Sequence, residues 1–146
     1  MDEVKRQVDI DAPAERVWQL ISRPGWFVNG GEVVDHETED LGDGVHLVRD
    51  PVHGEFRIET VELVPFRYAA FRWLGANGED SSTLVELWIE NKQAGRDGQE
   101  GVTLTVVESG FESLGPTEME RRRRHTTGWE TELAALGAHL ALEAVA

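Results

Sequence analysis

The sequence predicts an α+β fold in which a curved antiparallel sheet of six to seven strands wraps around a long C-terminal helix, with short helices after the first strand. Three observations carry this expectation. From Glu32 to Phe111 the pattern is of strands separated by short turns, which favours hairpin neighbours over βαβ crossovers. The sequence Pro116-Thr117-Glu118-Met119-Glu120 is a capping box, in which the Thr117 hydroxyl and the Glu120 carboxylate can each satisfy an orphan N–H. Beyond it no strong breaker interrupts the chain, and apolar residues step by three or four toward the C-terminus. At 146 residues the chain suits one domain over 1–146, with no repeat or linker to divide it.

The elements follow in order. Val4, Arg6, Val8 and Ile10 alternate with polar residues as in a half-buried strand. Asp11 or Ala12 can cap a short helix whose first turn takes Pro13, since the missing N–H has no partner there anyway. Val17, Leu20 and Ile21 share one face of that helix, joined by Trp18, and Pro24 ends it by pushing Arg23 out of the helical region. Trp26, Phe27 and Val28 form an apolar knot before Gly30-Gly31. Strands are then expected over Glu32–Asp40, Val45–Arg49, His53–Val64, Phe66–Leu74, Ser82–Glu90 and Val102–Glu108. Asp43-Gly44 favours a tight hairpin, Pro65 turns the chain, and a turn is expected around Asn77-Gly78. The final helix presents Met119, Arg122, Thr126, Trp129, Leu133, Leu136 and Leu140 on its inward stripe. That stripe is apolar in its lower half and polar in its upper half. The change marks either the mouth of a cavity or a frayed, solvated first turn.

Composition narrows the partners. Fourteen basic against twenty-eight acidic residues give a formal charge of −14, which repels polyanions and anionic membranes. Nucleic-acid binding is not expected. The run Arg121-Arg122-Arg123-Arg124 does not alter this, because successive helical residues point ~100° apart and ring the axis. Glu118, Glu120, Glu130 and Glu132 stand nearby to neutralise it in a solvated turn. The chain has no cysteine, so disulfides, thiolate metal sites and thiol nucleophiles are excluded. Residues 1–25 carry no signal-type apolar block and no stretch approaches a membrane span, so a cytoplasmic protein without membrane insertion is expected. The five histidines lack the spacing of helical zinc sites, Ser109 is not in a hydrolase elbow, and no phosphate loop is present. Neither metal nor cofactor is expected.

The order strand, short helix, strands, long final helix resembles the START-like superfamily, also called SRPBCC. Within it the chain resembles the branch named for the activator of the heat-shock-protein-90 ATPase. The resemblance rests on Ile10-Asp11-Ala12-Pro13-Ala14-Glu15-Arg16-Val17-Trp18, on Thr83-Leu84-Val85-Glu86-Leu87, and on Leu104-Thr105-Val106-Val107-Glu108-Ser109-Gly110-Phe111. It ends with Gly128-Trp129 followed by Leu133, Leu136 and Leu140. It implies a helix-grip (START-like, Bet v-like) fold. Relatives bind lipids, polyketides, sterols or other apolar ligands between sheet and helix; some catalyse cyclisation or hydroxylation, and the namesake branch stimulates a chaperone ATPase. Fold does not imply function, so the site is argued from its residues.

Parity assigns the inner face. With Val85, Leu87 and Ile89 inward, Leu104 and Val106 join them, and Ala69, Phe71 and Trp73 form the matching set. Phe56 and Ile58 are expected inward unless a bulge reverses their strand, and Trp26, Phe27 and Trp129 would close the ends. These rings either fill the core or line a hollow for a small apolar molecule. Burying ~300 Å² of apolar ligand surface would contribute roughly 7 kcal/mol before the costs of association. Counting by twos puts Glu108 on the same face, and Arg122 and His125 are its chemically suitable partners. Glu108, Arg122 and His125 would form the polar pole of a ligand site, and Thr126 on the same helical stripe is a further candidate ligand-binding residue. The alternative is a structural ion pair fixing the Ser109–Thr117 connection. Glu108 and His125 are also the candidate proton-transfer groups if the protein is a cyclase or hydrolase acting on an apolar, polyketide-like substrate. A third reading is a chaperone co-factor working through its outer surface. Without an assignable acid, base and nucleophile set, a binding domain is favoured over an enzyme.

Overall fold

The computed structural model describes residues 3–26, 37–50, 54–75, 78–92, 101–111 and 129–145. Strand β1 (Glu3–Ile10) leads into helix α1 (Ala14–Ile21), followed by β2 (Glu37–Gly42), β3 (Val45–Asp50), β4 (Gly54–Val64), β5 (Tyr68–Gly75), β6 (Gly78–Lys92) and β7 (Gly101–Ser109). Helix α2 (Trp129–Val145) closes the described chain. The seven strands make one curved antiparallel sheet in the order β1-β7-β6-β5-β4-β3-β2. It is a meander from β2 to β7, with β1 returning to pair β7 along its whole length.

The β2–β3 connection shows how local chemistry sets register. Asp43 and Gly44 both have positive φ, at 54° and 81°, the mirror-image turn whose twist matches that of the flanking strands. Gly42, at φ 90°, takes up the adjoining irregularity between Asp40 and Gly42. A second shift, between Thr60 and Glu62, inserts Val61 into β4 opposite β5. It falls beyond Phe56 and Ile58, so both keep their inward parity and are buried.

Several boundaries differ from the sequence expectation. Pro13 occupies the N-cap of α1 with extended backbone and no side-chain cap, so neither Asp11 nor Ala12 caps the helix. Phe66 belongs to the β4–β5 turn and not to β5; Arg67 N–H donates to the Val64 carbonyl at 3.0 Å, with Pro65 and Phe66 at the corner. Strand β6 begins at Gly78, where Gly75 pairs with it, and not at Ser82. The capping box, residues 112–128 and the Glu32–His36 part of the expected second strand lie outside the described residues.

The core sits on one face of the sheet. Directly opposed antiparallel residues share a face, so the register sorts side chains into rows. Ala69, Leu87 and Val106 form one row, Thr60, Phe71, Val85 and Glu108 the next, and His46, Ile58, Trp73 and Thr83 the third. Val17, Leu20 and Ile21 of α1 and Leu133, Leu136 and Leu140 of α2 are buried in the same cluster. Helix α2 lies against β1. Residue Gly25, after α1, approaches β3 so closely that an added Cβ would stand 2.6 Å from Val48 Cγ2. This contact draws Trp26 under cover at 3% exposure.

Candidate ligand-binding site

The inner face is apolar except at a few points, and those points define the site. Phe71, Ile58, Leu87, Leu104 and Val106 are wholly buried there, and Trp73 is nearly so. Phe56 meets Trp73 edge-on at 5.6 Å between ring centres. Such an aromatic floor favours flat or aliphatic surfaces and offers them no hydrogen bond.

Glu108 stands at the end of this floor with 6% of its surface exposed. It is inward because Val85 and Val4, its partners across the two neighbouring strands, fix its side of β7. Its Oε2 accepts a hydrogen bond from Thr83 Oγ1 at 2.7 Å, and its Oε1 accepts one from Trp129 Nε1 at 2.9 Å. Both donors are neutral groups, and each fixes one oxygen of the carboxylate. Trp129 in turn lies 6.2 Å from Trp26, ring centre to ring centre. The wall beside the carboxylate is therefore a tryptophan pair, one ring from the α1 side and one from α2.

Trp26, Phe56, Ile58, Phe71, Trp73, Leu87, Leu104, Val106, Glu108 and Trp129 all fall in or against the buried cluster on the inner face. Phe27, Arg122, His125 and Thr126 lie outside the described residues. The expected partnership of Glu108 with Arg122 and His125 therefore falls outside the described residues, whereas Thr83 and Trp129 each donate a hydrogen bond to it.

Sequence reasoning missed three groups. Thr83 is fully buried, two residues before Val85 and already inside the expected Ser82–Glu90 strand; its parity was right, but a threonine gives no apolar signal to mark it. Glu132 was placed among the solvated counter-charges of the arginine run but is 1% exposed. It follows Trp129 by three on the buried side of α2, a spacing the stripe stepped over by passing straight to Leu133. His46 was set aside with the other histidines, yet it is directly opposite Ile58 on the inner face. No group of three or more His, Asp or Glu side chains able to hold a metal occurs among the described residues.

No protein-family model and no curated protein matches this sequence. Solved structures do match. Protein MLL2253 from Mesorhizobium loti superposes with a TM-score of 0.67 at 15% identity, over 95% of this chain and 96% of that one. The Aha1 dimer protein from Colwellia psychrerythraea gives 0.58 at 17% identity, over 94% of each chain. The fold is START-like. DynU16, encoded in the dynemicin biosynthetic locus, gives 0.55 at 23% identity over 97% of this chain, which spans 48% of that longer protein. At these identities the START-like likeness establishes architecture alone. The SRPBCC resemblance read from the residue pattern is borne out at that level, with structural neighbours of Aha1-like and SRPBCC type. No helix among the described residues is long and apolar enough to cross a membrane.

Proposed function

We propose that this START-like protein binds a small, largely apolar molecule against the concave face of its sheet, with Glu108 receiving a donor group of the ligand. The observation that carries this reading is a buried carboxylate at the edge of an aromatic floor, held in place by hydrogen bonds from Thr83 and Trp129. The ligand-facing set is Trp26, Phe56, Ile58, Phe71, Trp73, Leu87, Leu104, Val106, Glu108 and Trp129, with Phe27, Arg122 and Thr126 completing it. The domain spans 1–146 and acts as a receptor or sensor.

Native mass spectrometry of protein purified from its own host tests this directly. A retained small molecule supports the reading, and its release in Glu108→Gln at unchanged fold assigns the carboxylate. Protein that carries nothing, and whose melting temperature no lipid, sterol or polyphenol raises, would refute it.

A second reading draws on the neighbour described as Aha1: a chaperone co-factor working through the outer surface. It expects co-purification with a chaperone that survives Phe71→Trp, a substitution that fills the inner face. Turnover of a polyketide-like substrate, lost in Glu108→Ala and His125→Ala, would instead point to an enzyme.

A further inference from the structure

His46 lies on β3 directly opposite Ile58, and the row continues through Trp73 on β5 to Thr83 on β6. Ile58, Trp73 and Thr83 are all buried on the concave face, so the imidazole faces the same side. Val48, two residues further along β3, is fully buried and shares that orientation. The Nδ1 atom of His46 is itself buried and has no hydrogen-bond partner. Leaving a buried ring nitrogen unsatisfied is costly, because its hydration is lost with nothing in return. The residue as a whole is half-buried, and leucine or phenylalanine there would leave no nitrogen unsatisfied.

Beyond His46 the row passes to the exposed Asp40 on β2; between His46 and Thr83 it has a polar group on each side of an apolar middle. On one side Thr83 Oγ1 is bonded to Glu108, and on the other stands His46. Three strand spacings separate them, ~14 Å along the sheet at ~4.8 Å per strand, and less across the chord of a concave surface. Between them lie only Ile58 and Trp73, with Phe56 against the Trp73 ring.

We propose that His46 is a second polar anchor of the ligand site. The ligand is then an elongated, mainly apolar molecule with a hydrogen-bonding group at each end, one for Glu108 and one for the imidazole. This rests on the ligand-binding reading above and adds the ligand's shape and polarity to it. A molecule with one polar head and an aliphatic tail would leave the histidine unsatisfied.

The test uses the full chain and three probes: biphenyl carrying a hydroxyl at both para ends, at one, or at neither. Calorimetry or intrinsic tryptophan quenching gives their affinities. The expectation is that the diol binds about tenfold more tightly than the mono-ol, the worth of one net hydrogen bond. His46→Phe removes that preference while leaving the affinity for unsubstituted biphenyl within about twofold, and His46→Gln, which keeps a polar tip, restores part of it. A purely structural histidine would alter stability and leave the diol to mono-ol ratio unchanged, and that result overturns the proposal. Glu108→Gln separates the two readings. If it weakens the hydroxylated probes while His46→Phe weakens none, the ligand site stands and the second anchor falls. If folded protein binds none of the three, both fall.

Discussion

Trp129 Nε1 donates to Glu108 Oε1 at 2.9 Å, tying helix α2 to the last inward position of β7. The bond spans 21 residues of chain and closes the helix against the sheet at the point where the inner face becomes polar. Thr83 holds the other carboxylate oxygen from β6. Three elements thus share one acidic group.

That sharing makes the three residues energetically coupled. Trp129→Phe keeps most of the ring and removes the donor, and it is expected to destabilise by about 1–3 kcal/mol in urea unfolding, as is Thr83→Val. In a double-mutant cycle with Glu108→Gln, the coupling with each donor should reach at least ~0.5 kcal/mol. Strict additivity would show that the contacts act independently and that the carboxylate is not held as a unit.

Gly25 is a backbone requirement of the fold. Its φ is +76°, a region that costs side chains energy, and a Cβ would stand 2.6 and 2.9 Å from the two Val48 methyls. Gly25→Ala should destabilise by roughly 1–3 kcal/mol. The penalty should be smaller in a Val48→Ala background, where the steric part is relieved and the backbone part remains. Equal penalties in both backgrounds would mean that the close approach carries no energy.

Tyr68 provides a clean titration, because it is the sole tyrosine. Burial pushes its phenol pKa up, and the hydrogen bond it donates to Glu86 Oε2 at 2.7 Å, with the charges of Glu86 and Glu62, pushes it further. A folded pKa above the unfolded value means the native state holds the proton longer. The stabilisation is complete below pH ~10 and is lost as pH rises through the folded value. The phenolate absorbance of the native protein should therefore appear well above pH ~10, and Glu86→Gln should bring it down. An ordinary midpoint in the wild type would contradict the Tyr68–Glu86 contact.

Phe66 sits at φ 68°, unusual for an aromatic residue, at the corner where Pro65 sets up a turn that favours glycine next. Its ring is 48% exposed and meets Trp18 edge-on at 6.3 Å. Relief of the backbone and loss of the ring contact should nearly cancel, so Phe66→Gly is expected within ~1 kcal/mol of wild type. Phe71→Ala, by contrast, empties a fully buried position and should cost about 3–5 kcal/mol. A large loss at Phe66 would show that the ring is far more firmly packed than its exposure indicates.

Much of the inner face was legible before any coordinates. Counting by twos from Val85 and Leu104 reached Phe71, Trp73, Val106 and Glu108 correctly, because a strand's side chains alternate whatever they pack against. The tight Asp43-Gly44 hairpin was equally legible, since positive φ is a property of those residues themselves. Thr83 and His46 were not. A threonine and a histidine carry no apolar signal, and both read as surface residues until neighbouring strands are set beside them.

The line between the two kinds of knowledge follows sequence distance. Strand alternation, the hairpin turn, the α1 stripe and the inward side of Glu108 are decided among residues within a few positions of one another, where excluded volume and local hydrogen bonding dominate. Which donors reach Glu108, that Gly25 must clear Val48, and that His46 shares a row with Thr83 depend on register across strands far apart in the chain. That register is set by where the bulge at Val61 falls and how the sheet curves. Such terms come from packing the whole face at once, and no local window of letters contains them.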